Sequence, residues 1–432
     1  MAKIFKGKGR YFGVRFAAAT LALALFVSPG AARNDPTFDF GTADKPLKRA
    51  LIGASLLLTN DFGKKPDPLD LFTAAREDYG RLISALYANG YYGPEIHILI
   101  DGREAAEIPA TDAPETIGSI KLSVKPGPRF RFSRTEITPL AAGTELPAEF
   151  RVGKPAFATA MTDAANAGIE GWRQEGHAKA RLSSQSIVAD HASQQIAADL
   201  RLDAGPKLRF GQLIVKGNGR LRQERLRKIA GFPSGEVYDP DELEKVVDRL
   251  RRTGVFRRIA LTEAERIRDE NLLDVTLDLQ EEALRRYGFG LQVTSGDGTD
   301  LSAFWLHRNL FGGGERLRID GTLFSLGKRS GALSYDLGAR IDRPATPITD
   351  SSAFAEAHLS RLNLLGLRLS ESSFALGLTR TFSDSFSAEA ALEFSYQTLR
   401  GGGFNADFTS LALPVKAKWD RRDDILLPSR GS

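Results

Sequence analysis

The strongest constraint on how this chain can fold is a unit that occurs three times: helix, glycine, strand. It reads LISALYANGYYGPEIHILI at Leu82–Ile100, AGIEGWRQEGHAKARLSS at Ala167–Ser184 and VVDRLRRTGVFRRIALTE at Val246–Glu263. The step from Gly176 to Gly254 equals the step from Gly127-Pro128, in PGPRFRF, to Gly205-Pro206, in AGPKLRF. A period shared by two separate landmarks marks a tandem of small domains. After Arg285 the period ends, and alternating segments punctuated by glycine replace it.

The third repeat is the clearest. A strand carries Leu208, Phe210 and Leu213 and ends at a turn at 217–219. A first helix is expected over Arg222–Ala230, stopped by Gly231 and Pro233. A second begins at Asp239 as N-cap, with Pro240 in the first helical position and Glu242 placed for a capping box. Leu243, Val246, Val247 and Leu250 fall on one face, and Gly254 suits the left-handed position after the helix. Two strands follow, Phe256–Glu263 and Leu272–Gln280, giving the order β-α-α-β-β. The second repeat has the same shape in a weaker pattern. The first is expected to open with a strand at Ala50–Leu58. These readings place domains at 50–127, 128–205 and 206–284.

A small sheet backed by two helices leaves an edge strand with unpaired N–H and C=O groups. Such an edge is either a docking strip for an added strand or the protected rim of a spacer.

From Arg286 the alternation is nearly strict. Tyr287, Phe289, Leu291 and Val293 face one way; Arg286, Gly288, Gly290, Gln292 and Thr294 face the other. Eight such runs are expected, at 286–295, 300–307, 315–326, 330–342, 352–362, 368–382, 385–398 and 408–420. Runs of about 10 to 13 residues exceed the usual soluble strand and suit tilted strands crossing a bilayer. Trp305, Tyr396 and Trp419, near strand ends, suit interfacial girdles. The competing reading is a soluble sandwich with one wet face. The fold class is therefore α+β repeats followed, over 285–432, by an antiparallel transmembrane β-barrel.

The first 32 residues read as a secretory signal. Lys3, Lys6, Lys8, Arg10 and Arg15 precede an apolar run, Phe16–Val27, and small residues follow at Gly30, Ala31 and Ala32. The run is shorter than the roughly 20 residues of a spanning helix. Removing this segment takes the formal charge from +5 to zero, so the basic pI is no argument for nucleic acid. The chain has no Cys and so no disulfide framework. No zinc-protease, phosphate-loop or nucleophile-elbow pattern is present, and none of the five His has metal-ligand spacing to another. Neither an enzyme nor a cofactor is expected. Gly312-Gly313-Gly314 reads as a hairpin turn.

At this point the residues carry a resemblance. The three repeats resemble polypeptide-transport-associated (POTRA) domains. WLHRNLFGGGERL (Trp305–Leu317), with Arg308, Asn309 and Gly312, resembles an early hairpin of the BamA/TamA superfamily of outer-membrane assembly barrels. WDRRDDILLPSRGS (Trp419–Ser432), with Asp420, Arg421, Asp423, Arg430 and Gly431, resembles its mid-barrel motif. BamA-like members carry five such domains and two-partner-secretion transporters two, so three is similar to the TamA branch. The resemblance implies a 16-stranded barrel, of which this sequence would hold about half. It also implies a Gram-negative outer-membrane location with periplasmic repeats, contact with outer-membrane lipid, and an inner-membrane-anchored, TamB-like partner.

The function so implied is assembly of other outer-membrane proteins, autotransporters for example. Unfolded client strands would add to the edge at Tyr287, Gly288, Phe289, Gly290 and Leu291, or to the third repeat at Leu208, Phe210 and Leu213. The alternative is a polypeptide export pore of the two-partner type. Gly288 and Gly290 either weaken a seam that opens or relieve crowding in the lumen. The charged run at 420–424 is either a solvated turn or an ion-pair network at the rim.

Overall fold

The computed structural model describes residues 37–62, 67–217, 219–294, 298–326, 333–364 and 366–422. The signal expected at 1–32 lies outside these residues, as do Asp423, Arg430 and Gly431. The chain divides into two compact units, the first formed by residues up to Phe132 with Gly153–Thr159 and Ala189–Ile196.

The first unit holds β1 (Thr37–Asp39), α1 (Lys45–Ala54), α2 (Leu56–Thr59), α3 (Pro68–Ala88), β2 (Glu95–Ile100), β3 (Arg103–Glu104) and β4 (Ile120–Lys125). Its sheet has the order β1-β4-β2-β3, with β1 parallel to β4. The opening strand expected at Ala50–Leu58 is instead helical, and the strand that opens this domain is Thr37–Asp39. A short apolar run cannot separate a buried strand from a buried helix by its period. The cap decides: Asp44 accepts the Leu47 N–H at 2.9 Å, and Leu47 and Leu51, one turn apart, are both buried. They pack with Leu82, Leu86, Ile98, Leu122 and Val124 in one core.

The second repeat comprises β5 (Arg131–Thr138), α4 (Ala158–Gln174), β6 (Arg181–Asp190) and β7 (Gln195–Asp203), in sheet order β5-β7-β6. This repeat departs from β-α-α-β-β: among the described residues it has one helix. The expected first helix falls between Pro139 and Gly153, a stretch broken by Gly143 and Pro147; proline and glycine are the residues least compatible with a helix interior.

The third repeat is β8 (Arg209–Lys216), α5 (Gln223–Ala230), α6 (Pro240–Thr253), β9 (Phe256–Glu263) and β10 (Leu272–Glu281), with β10 central, parallel to β8 and antiparallel to β9. Asp239 caps α6 by accepting the Asp241 N–H at 2.9 Å, and Gly254 closes it at φ 66°. Glu242 does not return to the cap; it takes a 2.7 Å hydrogen bond from Lys245. Leu226, Val246, Leu250 and Leu277 are fully buried between helices and sheet. Each such side chain contributes about 2 kcal/mol of burial.

The large sheet comprises β11 (Arg285–Thr294), β12 (Gly298–Arg308), β13 (Arg316–Leu326), β14 (Ser334–Pro344), β15 (Ser351–Leu364), β16 (Leu367–Ser383), β17 (Phe386–Gly401), β18 (Phe404–Ala412) and β19 (Val415–Trp419). Strands β11 to β18 neighbour one another in sequence order, all antiparallel. The last run expected, 408–420, is interrupted at Leu413-Pro414. Both β18 and β19 pair with β17, and the Pro414 carbonyl accepts the Ala391 N–H at 3.0 Å. Proline has no N–H to give the ladder, so the strand breaks there. Among the described residues the sheet does not close on itself.

Register turns the alternation into two surfaces. One row runs Tyr287, Trp305, Ile319, Ala339, Ala357, Phe374, Phe394, Leu411; the adjacent row runs Arg286, Leu306, Arg318, Arg340, Glu356, Ala375, Glu393, Ala412. On the polar face Arg340 is a hub, donating to Asp342 at 3.0 Å, Glu356 at 3.0 Å and Glu389 at 2.9 Å. An apolar face backed by a charged one is the pattern of a barrel wall between lipid and lumen.

Candidate functional site

Two features of the second unit define the site: the open edge of β11, and the seat of the third repeat on the turns of the sheet. All ten residues of β11 pair with β12, from Arg285 with His307 to Thr294 with Gly298. Among the described residues no strand lies on the other edge. The outward row of this strand is bare: Phe289 is 84% exposed and Val293 73%, with Tyr287 and Leu291 also exposed. Gly288 and Gly290 point to the other face. A Cβ on Gly288 would run into the Phe304 ring, and one on Gly290 into the Ser302 hydroxyl. The Phe304 ring is held there by Arg318, whose guanidinium lies 4.6 Å from its centroid. These glycines therefore make room for neighbours on β12.

The turn after β12 contains the other motif residues. Asn309, buried at φ 61°, accepts the Gly314 N–H at 2.9 Å, and Glu315 accepts the N–H groups of Gly313 at 2.9 Å and Phe311 at 3.2 Å. Burial alone would push the Glu315 carboxyl up; the backbone donors and Arg343 outweigh it and hold it below the usual range. Arg308 ties this turn to the foot of β11: its N–H reaches Leu284 O at 2.7 Å and its guanidinium Ala283 O at 2.8 Å.

The third repeat sits on this turn and on the next. The Arg222 N–H donates to Gly312 O at 2.9 Å, and the buried Arg225 donates to Pro344 O at 2.5 Å. Between β14 and β15, Ala345 enters the core formed by Leu221, Leu226, Ile229 and Leu250. Asp350, at the end of that turn, receives Arg249 and Arg252. Sequence reasoning missed this seat, because its partners are far apart in the chain; the one available signal was the arginine run of α6 facing a turn that ends in an acid.

The remaining expected residues are placed as follows. Leu208 and Phe210 are fully buried core side chains and cannot contact a client. Their stretch of the β8 edge is also closed, by Phe210 N–H to Glu236 O at 2.9 Å and Tyr238 N–H to Leu208 O at 3.0 Å. The alternation that made them look like a docking edge is the alternation of a core face. Leu213 is only partly buried and lies beyond that closure. Asp420 pairs with Arg422, Nη2 to Oδ2 at 2.6 Å, which holds its carboxyl down at about 2. Arg421 lies over the Trp419 ring, 4.1 Å from the centroid. No helix among the described residues is long and apolar enough to cross a membrane, and no cluster there could hold a metal ion.

Comparison with known proteins agrees with this geometry. The POTRA family model, described as "Surface antigen variable number repeat", matches residues 208–282, the span of β8 to β10. The outer membrane protein assembly factor BamA of Buchnera aphidicola subsp. Acyrthosiphon pisum (strain APS) is 23% identical over 131 residues, 30% of this chain and 21% of that protein. The crystal structure of BamA from Haemophilus ducreyi lacking POTRA domains 1–3 superimposes with a TM-score of 0.52 at 14% identity, covering 69% of this chain and 61% of that one. The chain thus spans less than two thirds of the relatives it matches. Repeats of POTRA form, one matched by the family model, precede an antiparallel sheet with one apolar face, a domain order similar to that of these BamA relatives.

Proposed function

We propose that this protein is a TamA-like assembly factor that inserts other outer-membrane proteins, with β11 as the strand on which a client strand pairs. The carrying observation is a ten-residue strand that is paired along its full length with β12 and, among the described residues, has no strand on its other edge. A backbone polar group left unpaired in hydrocarbon costs several kcal/mol. A strand offering its N–H and C=O groups lowers that cost for a client still closing, and main-chain pairing is indifferent to client sequence. The task needs no catalytic step and no cofactor. The clients are unfolded outer-membrane strands, and outer-membrane lipid surrounds the apolar face. A TamB-like, inner-membrane-anchored partner rests on the three-repeat count.

The test exploits the absence of cysteine. Single cysteines along β11, outside the residues that pack on β12, are cross-linked to a client carrying a cysteine in its last strand. Cross-links that alternate along β11 and appear only during insertion support the proposal. A stable open conductance with one dedicated substrate, and no cross-link at β11, would replace it with the two-partner export reading.

A further inference from the structure

The turn from β16 to β17 lies at the same end of the large sheet as the seat of the third repeat: the Thr381 N–H donates to Asp350 O at 3.0 Å. The last strand, β19, ends beside it, with the Asp420 N–H on Ser385 O at 2.8 Å. Three rings form a ladder across this end. Phe382 and Phe386 have centroids 5.3 Å apart, and Phe386 meets Trp419, its register partner, edge-on at 6.2 Å. Phe386 shares the apolar face with Phe394, an even number of positions along β17. Each end of the ladder carries an arginine: the Arg380 guanidinium lies 5.0 Å from the Phe382 centroid, and Arg421 lies over Trp419. Neither has a carboxylate partner among the described residues, and Asp384, the acid of the turn, pairs with neither. At the Arg421 end a cleft of about 350 Å³ opens, lined by Ser383, Ser385, Phe386, Trp419 and Arg421. The two serine hydroxyls share one hydrogen bond of 3.2 Å, which leaves one of their protons free to donate.

Resting on the placement of this face in outer-membrane lipid given above, we propose that the cleft seats the phosphate of an anionic phospholipid, held by Arg421 and the serine hydroxyls, with the acyl chains along Phe386 and Trp419. Height selects a headgroup as the occupant. Aromatic belts lie at headgroup level, so a guanidinium stacked on a belt ring meets phosphates and not tails. Arg421 spends its flat face on the indole and keeps its N–H edge for an oxyanion, and a phosphate takes two such donors in parallel. Charge selects among headgroups. Arg421 and Arg380 have no acid against them, so they favour an anionic lipid over a zwitterionic one. A plain girdle would consist of rings alone; here a guanidinium and hydroxyl donors converge on one cleft between those rings.

The test reads Trp419 itself. Trp172→Phe with Trp305→Phe leaves it as the only tryptophan. The full chain is placed in phosphatidylcholine vesicles in which a small fraction of lipid is either brominated phosphatidylglycerol or brominated phosphatidylcholine, and quenching of the indole is compared. The phosphatidylglycerol should associate with Trp419 about fivefold more strongly. Arg421→Gln should bring the ratio close to one. Arg361→Gln, on the same face but toward the far end of β15, should leave it unchanged. Excess inorganic phosphate at matched ionic strength should not displace the lipid. Equal quenching by the two lipids, or an R421Q variant that keeps the preference, overturns the proposal. Displacement by inorganic phosphate overturns it too, since it marks a site for a soluble anion. The comparison of the two lipids leaves both arginines intact, so it does not depend on any arginine variant folding. Quenching by both lipids without preference removes this proposal alone; no quenching by either removes the lipid placement of the face on which it rests.

Discussion

Arg249 grips Asp350 from both sides of its guanidinium, Nε to Oδ1 at 3.1 Å and Nη2 to Oδ2 at 3.0 Å, across the seam between the third repeat and the β14–β15 turn. The same arginine donates to the carbonyls of Ala230 and Gly231, both at 3.3 Å, closing the end of α5. Arg252 reaches Asp350 Oδ1 at 2.8 Å. Removing the acid leaves a nearly buried guanidinium short of its partner. Asp350→Ala is expected to cost about 2 kcal/mol of docking. Hydrogen exchange at 345–350 and at the end of α5 should rise, while β16 and β17 stay protected. An unchanged exchange pattern would mean that the Ala345 contact alone holds the seat.

The same pair gives the seat an acid limit. Burial would raise the Asp350 carboxyl, but the hydrogen bonds and charges of Arg249 and Arg252 outweigh it, so its pKa is lowered in the folded protein. A lowered carboxyl stabilises the fold above the unfolded value, about pH 4, and that contribution is lost as pH falls through the folded value. The exchange difference between the parent chain and Asp350→Ala should therefore be full at pH 7 and shrink toward zero in strong acid.

Glu263 joins the second and third repeats. It accepts Tyr238 Oη at 2.7 Å, Arg173 Nη2 at 2.8 Å and Lys179 Nζ at 3.4 Å, and Arg173 lies over the Tyr238 ring. Burial pushes its carboxyl up; the Tyr238 and Arg173 bonds and the two cations pull it further down, to a net lowering. Glu263→Gln keeps an acceptor for Tyr238 but loses the charge. Its thermal midpoint should lie below the parent's at pH 7, by a loss of about 1–2 kcal/mol, and approach the parent's as pH drops below about 4. A gap that stays constant with pH would assign the effect to packing.

Asp78, on α3, is fully buried and caps α2 from a distance: it accepts Ser55 Oγ at 2.5 Å, the Leu56 N–H at 2.6 Å and the Leu57 N–H at 3.3 Å. Asp78→Ala strands three donors in the core of the first domain and should cost about 3 kcal/mol, with Asp78→Asn in between. Chemical unfolding followed at that domain reads both. Equal stability of Asn and Asp would show that the charge is dispensable.

Asp78 also shows where the sequence stops being legible. The α6 helix announces itself locally: Asp239, Pro240 and Gly254 mark its ends, and Val246 and Leu250 its face. The sheet strands are equally plain, because a period of two over ten residues has few other readings. The α2 helix has no such signature, since its cap comes from another helix. The run at Ala50–Leu58 thus looks as much like a strand as a helix. Leu208 and Phe210 mislead for a related reason: a core face and a docking edge share one alternation, and only the segment 235–238 tells them apart. The arginine seat on Asp350 is tertiary throughout. Arg308, Asn309 and Gly312 could be found from the sequence as a turn, but not that Arg222 would dock on it.

The β11 glycines allow the seam and crowding accounts to be separated. The Phe304 ring occupies the space over Gly288 and is pinned there by Arg318. Gly288→Val must displace that ring or open the β11–β12 pairing, while Gly290→Val meets only the rotatable hydroxyl of Ser302. If crowding is the whole reason for Gly288, then Gly288→Val lowers sheet stability and client insertion together, and Phe304→Ala restores both in the double variant. If the seam must also be loose, the double variant regains its heat resistance but not insertion, because the β-branched residue still stiffens the strand. Gly290→Val is the internal control, with a smaller loss of stability for the same stiffening. Heat-modifiable mobility and client insertion, measured on the three variants side by side, decide between the accounts. A proposed seam is refuted by parallel recovery of both.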